Sequence, residues 1–260
     1  MTRNFGAAAQ DYARHRAGFP ESFFDRLAGF GIGKPEQLVV DIGTGTGTLA
    51  RGLALRGCHS IGIDPDDRLL EQARMLDDAT GIKIDYRNGV AEQLPLDEGI
   101  ADVITAGTCW HWFNTDAAMQ EIKRIAKQAA YIAVANFSWL PLPGNLVEST
   151  ERLIEKHNPE WTHGGGNGGI DLNIIYDFQR AGIINIESFS YDMDVPYTQD
   201  GWLGRIRASA GVGASLTPEG VEIFNSELAQ LLKQSFDSDI LQVQHRIFAV
   251  IGNINRQDYL

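Results

Sequence analysis

A chain of 260 residues, 43% of them hydrophobic, is long enough for one well-buried core with an insertion or a small cap and too short for a second full domain. Its formal net charge of -12 argues against a broad electrostatic grip on nucleic acid or anionic lipid and favours small molecules as substrates. No apolar run approaches the roughly 20 residues that cross a bilayer, and Arg14, His15 and Arg16 interrupt any secretory pattern at the start, so a cytoplasmic location is expected.

In chain order, Phe5, Tyr12, Phe19, Phe23, Phe24, Leu27 and Phe30 predict one or two helices packed by aromatics, interrupted near Gly18-Phe19-Pro20. Strands are expected near 38–42, 59–63, 82–86, 101–106 and 130–136, alternating with helical stretches. The apolar residues of those stretches, Leu69, Leu70, Met75, Met119, Ile122 and Ile125 among them, cover the sheet. This alternation predicts a parallel sheet with helices on both faces. Past Trp139 it fails: Pro141, Pro143 and Pro159 mark an insertion with a helix around 145–156, and the run from His163 to Gly169 reads as a mobile lid. A helix over 172–181 and strands over 183–193 and 241–251 follow, with mostly helical structure over 197–235. The expected division is 1–31 as an N-terminal helical segment, 32–140 as the cofactor-binding core and 141–171 as the insertion. Residues 172–260 complete the core and carry a helical cap near 197–235.

Residues 39–47, Val-Val-Asp-Ile-Gly-Thr-Gly-Thr-Gly, run an apolar strand into three alternate glycines. Gly43, Gly45 and Gly47 can turn sharply against a ligand, and the helix that begins at Thr48 points its N-terminal amides at the same place. A second apolar stretch ends in Asp64, at the spacing where a dinucleotide fold holds a ribose hydroxyl pair. Asp41 stands just before the turn, where it repels phosphate and favours an ammonium, and Thr48 breaks the strict Gly-x-Gly-x-x-Gly form. Both disfavour a nicotinamide-dependent oxidoreductase. S-adenosylmethionine carries adenosine, an ammonium and a sulfonium, and no phosphate.

On these residues the chain resembles the class I S-adenosylmethionine-dependent methyltransferases of the type 11 kind. Asp41 to Gly47 is similar to the family's first motif, Asp64 with Pro65 to the acid that ends its second strand, and Gly89 to Pro95 and Ala101 to Ala106 to its adenine-side loop and fourth strand. The resemblance implies a Rossmann-like, seven-stranded, mostly parallel sheet with a closing antiparallel hairpin and a mostly helical cap. It also implies that Asp41, Gly43, Thr44, Gly45 and Gly47 hold the methionine part of S-adenosylmethionine, Asp64 the ribose hydroxyls, and Ala91 with Glu92 the adenine, with Pro65 and Ala106 also among the cofactor-binding positions. Val90 stands where many members carry Asp and offers apolar contact.

Residues 12–20 resemble the Tyr-x-x-x-Arg-Pro-x-Tyr-Pro entry segment of a subgroup that includes trans-aconitate-type methyltransferases, with Ala17 and Phe19 replacing Pro and Tyr. That match places Arg16 against the cofactor, paired with the methionine carboxylate or a substrate anion. Gly107 to Asn114 resembles the same subgroup's His-Trp-Phe signature. Methyl transfer needs an aligned nucleophile, exclusion of water and, for some acceptors, removal of a proton. Residues that follow the fourth strand line the natural site. His111 is therefore the candidate for acid/base or orienting work, with a purely structural hydrogen bond as its competing role. Trp110, Trp112 and Phe113 read as packing, and so does Cys109; Cys58 and Cys109 form no metal-ligand cluster, and no metal is expected. In the cap, Trp202, Arg205, Arg207 and Ser209 stand where a substrate pocket would be built, and the two arginines suit a carboxylate. The expected function is methyl transfer from S-adenosylmethionine to an oxygen, nitrogen or carbon of a small molecule, with a carboxylic acid oxygen as first choice. The alternative is a non-catalytic S-adenosylmethionine-binding or regulatory protein.

Overall fold

The computed structural model describes residues 15, 17–161 and 166–255. The segment up to residue 14, Arg16 and residues 162–165 lie outside the described residues, and with them Tyr12 and Arg16 of the entry segment, the start of the first expected helical region and His163 with the start of the expected lid.

Among the described residues there are seven strands: β1 (Leu38–Ile42), β2 (His59–Asp64), β3 (Asp85–Asn88), β4 (Ala101–Gly107), β5 (Ala126–Trp139), β6 (Ile184–Thr198) and β7 (Ile240–Asn253). They form one sheet in the order β3-β2-β1-β4-β5-β7-β6, mostly parallel, with an antiparallel hairpin at the β7-β6 end. The described helices are α1 (Glu21–Gly29), α2 (Thr48–Ala54), α3 (Asp67–Asp78), α4 (Thr115–Ile125), α5 (Leu146–His157), α6 (Asn173–Arg180), α7 (Gln199–Arg207) and α8 (Pro218–Ser235). None is long and apolar enough to cross a membrane.

The central strands are continuous apolar runs because both sheet faces are covered. Val39, Val40 and Ile42 of β1 and Val103 and Ile104 of β4 are buried, and helix residues Ala118, Ile122 and Ile125 lie buried with them. The third strand starts later than the expected 82–86. Its pairing follows β2, from Ile61 beside Asp85 to Asp64 beside Asn88, while the preceding residues are spent on closing α3. The amides of Thr80 and Ile82 both donate to the Asp77 carbonyl. The last two strands run longer than expected, and the helix expected over 145–156 spans Leu146–His157, capped by Asn145, whose Oδ1 accepts from the Glu148 amide at 2.8 Å.

The chain divides into two compact units. An α/β unit comprises Gly18–Phe137, Ile170–Ser190 and Ile247–Leu260; a helical unit comprises Met1–Ala17, Ser138–Gly169 and Tyr191–Arg246. In the helical unit Phe224, Leu228 and Leu232 make the buried face of α8, and Lys156 and His157 at the end of α5 reach Glu227 of α8 at 2.6 and 3.2 Å. In the α/β unit α1 lays the Phe24 ring directly on the backbone of α2 at Gly52, so a Cβ there would fall well inside the ring carbons. Gly52→Ala gains about 1 kcal/mol of helix propensity. It loses about 2–3 kcal/mol to overpacking. A net loss of stability is therefore expected in denaturant unfolding, and Gly52→Ala combined with Phe24→Leu should recover part of it.

Candidate active site

The sheet order reverses direction of growth at β1 and β4, and in an open α/β sheet the crevice at such a switch point takes the ligand. The loops after β1, β2 and β4 that border it belong to the α/β unit. The loop after β1 uses left-handed backbone at Gly43 (φ 65°), Gly45 (φ 56°) and Gly47 (φ 79°), and Gly47 is also the residue from which α2 starts.

Both acids of the expected motif are built into this loop. Asp41 is buried beside Thr105, its register partner on β4, and its two oxygens accept from Thr44 Oγ1 at 2.6 Å and Thr105 Oγ1 at 2.7 Å. Burial pushes its carboxyl up to about 6, against the opposing pull of those hydroxyls and the Ala50 amide. Asp64 closes β2, and its Oδ2 accepts from the Gly45 amide and its Oδ1 from the Asp66 amide, each at 2.9 Å. Burial raises its pKa too, and the two amides partly offset this. An ionised carboxylate offers about four acceptor positions. With two filled, Asp64 retains two, which fits a vicinal hydroxyl pair. Pro65 is exposed, and its carbonyl accepts from Asn88 Nδ2 at 3.1 Å.

Three side chains that sequence reasoning did not single out hold the glycine loop. Arg51 of α2 reaches back to the Thr46 carbonyl at 3.0 Å and across to the Ala73 carbonyl at 3.1 Å, while its Nε pairs with Asp77 at 2.5 Å. The Tyr86 ring of β3 lies over both Gly47 and Gly62. The hydrogen bonds of Arg51 span up to 26 residues in sequence, and the Tyr86 contact with Gly47 spans more; no local pattern signals them.

In the loop expected to face adenine, Ala91 is buried and Val90 is exposed, bridged to Gln93. Glu92 does not stand alone. Its Oε1 accepts from the Asn114 amide at 2.7 Å, tying this loop to the cap of α4. From α4, Glu121 accepts from the Leu94 amide at 2.8 Å, and Arg124 donates to the carbonyls of Leu96 (2.7 Å) and Leu94 (3.0 Å). The two side chains also pair with each other, at 2.7 Å on both carboxylate oxygens. Glu121→Ala removes an acceptor and an ion-pair partner together, so cofactor affinity is expected to fall roughly threefold to tenfold. Glu121→Gln keeps the acceptor and should recover most of it; calorimetric titration with S-adenosylhomocysteine reads both.

The segment after β4 splits the expected aromatic cluster. Thr108 takes a left-handed φ of 59°, an unfavourable conformation for a β-branched residue and one that recurs at functional turns. Cys109 packs on the glycine loop, its Sγ donating to the Ile42 carbonyl at 3.2 Å and standing 2.7 Å from where a Cβ on Gly43 would be. A short 3-10 turn, Trp110–Trp112, follows. Trp110 is the anchor: it is 2% exposed, donates to Asp177 at 2.9 Å and meets Phe113 and Phe178 edge-on. His111 and Trp112 face outward with their rings 4.6 Å apart. Ala106 is buried within β4, in register with Val134.

The structure thus brings together Asp41, Gly43, Thr44, Gly45, Gly47 and Asp64, and links Glu92 to the segment that carries His111. No group of three or more metal-ligating side chains occurs among the described residues. In the helical unit the two arginines of α7 diverge. Arg207 donates to Asn225 of α8 at 3.0 Å, whereas Arg205 lies over the Trp139 ring at 4.4 Å.

Residues 40–134 match the family model for a methyltransferase domain. An uncharacterized methyltransferase of Mycobacterium tuberculosis is 25% identical over 182 residues, 63% of this chain and 72% of that protein. A ubiquinone biosynthesis O-methyltransferase of Hahella chejuensis is 38% identical over 133 residues, 50% of this chain and 55% of that protein. Among solved structures, phosphoethanolamine N-methyltransferase 2 of Haemonchus contortus, in complex with S-adenosyl-L-methionine, aligns with 96% of this chain and 56% of its own at a TM-score of 0.56 and 17% identity, a likeness of fold.

Proposed function

We propose that this chain, an S-adenosylmethionine-dependent methyltransferase, acts on a small-molecule acceptor and places the methyl group on a carboxylic acid oxygen. The observation that carries the reading is Asp64, fixed by two backbone amides at the end of β2 with two acceptor positions left for ribose hydroxyls. Gly43, Thr44, Gly45 and Gly47 give the methionine part a backbone cradle, Asp41 gives its ammonium a buried counter-charge, and Ala91 with Glu92 address the adenine edge. Pro65 and Ala106 border the ribose and adenine sides, and Arg16 is assigned to the methionine carboxylate. When bound, the cofactor supplies a methyl group on a positively charged sulfur and leaves as S-adenosylhomocysteine.

A carboxylate acceptor is already anionic and needs no base. That suits a turn after β4 whose candidate side chain, His111, is exposed. In this reading His111 orients the acidic acceptor and completes its desolvation with Trp112. Similarity to an O-methyltransferase supports oxygen as the acceptor atom. A net charge of -12 supports a small molecule over nucleic acid, and a cytoplasmic site of action remains part of the reading.

The test is release of S-adenosylhomocysteine from a panel of small carboxylic acids and their amides, run beside calorimetry with the cofactor. Turnover of acids is expected, and His111→Ala should cut kcat with cofactor affinity unchanged. Tight cofactor binding with no release from any acceptor would replace this reading with a non-catalytic binding protein.

A further inference from the structure

The start of α4 is capped by two separate parts of the chain. Asn114 is the N-cap residue, and its Oδ1 accepts from the Ala117 amide at 3.3 Å. In a helix that caps itself, a Glu or Gln at the third helical position reaches back and accepts from the amide of the N-cap residue. Here that position is Ala117, whose methyl group offers no acceptor. The missing half comes from Glu92, 22 residues upstream in the loop assigned to adenine, whose Oε1 accepts from the Asn114 amide at 2.7 Å. A carboxylate at a helix N-terminus also interacts favourably with the helix dipole.

Asn114 closes the turn that carries His111. The same turn rests on the glycine loop, since a Cβ on Gly43 would stand 2.7 Å from Cys109 Sγ and 3.2 Å from the Phe113 ring carbon Cζ. It is therefore seated on both loops assigned to the cofactor, by packing at Gly43 and by a hydrogen bond at Glu92. That bond can be removed without touching the glycine loop. The adenine-side loop has its own attachment, because Glu121 and Arg124 of α4 hold the backbone at Leu94 and Leu96.

We propose that Glu92 is a positioning residue for the acceptor side of the site. Its side chain ties the turn that carries His111 to the adenine-side loop, so that a bound cofactor stiffens the turn on which the acceptor is aligned. Glu92 then meets the adenine edge through its backbone and serves the acceptor through its carboxylate. This rests on the methyl-transfer reading and deepens it, since it assigns the contact that joins the two halves of the site.

Three variants separate positioning from capping. Glu92→Ala removes the bond, and Glu92→Gln keeps an acceptor oxygen and most of the effect. Glu92→Ala combined with Ala117→Glu rebuilds the cap from within the helix, which restores the start of α4 and leaves the tie to the adenine-side loop broken. A carboxylate that served the helix alone would be replaced by this double variant in every respect.

The experiment uses the full chain with S-adenosylhomocysteine as probe, read by calorimetry, thermal unfolding and hydrogen exchange of residues 108–117 with and without the probe. In the wild type and in Glu92→Gln the probe should slow exchange of that segment about tenfold. In Glu92→Ala and in the double variant the slowing should be about twofold or less, with cofactor affinity within about threefold of the wild type. The thermal midpoint lost in Glu92→Ala should return in the double variant. On small carboxylic acids, kcat should follow the exchange pattern and fall about tenfold in both variants that lack the tie.

The proposal is overturned if the probe leaves exchange of the segment unchanged in the wild type, or if the double variant regains the wild-type response. It is also overturned if Glu92→Ala loses cofactor affinity and keeps its exchange response, which would make the side chain an adenine contact. The expected exchange pattern without release of S-adenosylhomocysteine from any acceptor would sink the methyl-transfer reading and leave the tie standing. Turnover of acids by Glu92→Ala at the wild-type kcat would do the reverse.

Discussion

Gly47→Ala is expected to remove measurable cofactor binding and to lower folding stability by about 2–4 kcal/mol, the sum of a left-handed backbone penalty and an overpacked contact. Gly47 has φ 79°, a conformation that L side chains rarely adopt. A Cβ at this position would run into the Tyr86 hydroxyl and stand 3.0 Å from its ring carbon and 3.2 Å from an Arg51 nitrogen. The neighbours cannot all yield, because Arg51 is itself held by Thr46, Ala73 and Asp77. Any accommodation therefore moves the loop on which the amide of Gly45 meets Asp64. The double variant Gly47→Ala with Tyr86→Phe separates the two costs. Removing the hydroxyl relieves the worst contact and leaves the backbone strain, so about half of the stability should return while cofactor affinity stays low. Denaturant unfolding and calorimetry with S-adenosylhomocysteine measure the pair. Wild-type stability in Gly47→Ala would show that the loop is far more compliant than its contacts imply.

What the sequence disclosed about this site follows the range of the interactions concerned. Asp41, the glycines and Asp64 are legible because a strand, a tight turn and a second strand each leave a short local pattern, and parallel register then places the pattern's ends side by side. The alternation of strands and helices gives the sheet for the same reason. Tyr86 and Arg51 leave no such trace. Each acts across a contact between separate elements, and an aromatic on an edge strand or an arginine in a helix is by itself ordinary. The start of β3 was misread because Ile82, Lys83 and Ile84 have the composition of a strand, while the chain uses them to leave α3 and pack Ile84 beside Leu70 and Ala73. The run Trp110-His111-Trp112 shows the same limit at smaller scale. Three neighbouring residues look alike in sequence, yet the turn sends Trp110 into the core and its two successors outward. Arg205 and Arg207 likewise read as a matched pair until the partners of each are known.

Asp41 offers the sharpest electrostatic test of the cofactor assignment, because two different pH dependences with opposite signs should originate from one carboxyl. Its folded pKa is raised from 3.8 to about 6 by burial. Between those values the folded chain holds a proton that the unfolded chain has released, so stability falls as pH rises across the interval, by up to about 3 kcal/mol. Below the interval both states are protonated and above it both are ionised, so the slope vanishes on either side. Asp64 and Glu151 have raised values too, so the contribution of Asp41 must be read as a difference between wild type and Asp41→Asn. Asparagine fits the same space, accepting from one threonine hydroxyl and donating to the other. The wild type should lose its advantage over this variant as pH rises from about 4 to 6.

Cofactor binding should respond in the opposite sense. The ammonium assigned to Asp41 favours the ionised carboxylate, so affinity should strengthen as pH rises through about 6, by about tenfold between pH 5 and pH 7 if the ammonium draws the pKa down by a unit or more. Imidazoles titrate in the same window, so the series belongs in a His111→Ala background. A flat profile in Asp41→Asn with a rising one in its parent would tie the methionine ammonium to this buried acid. Equal slopes in both would confine Asp41 to holding Thr44 and Thr105, and would move the counter-charge for the ammonium elsewhere on the loop.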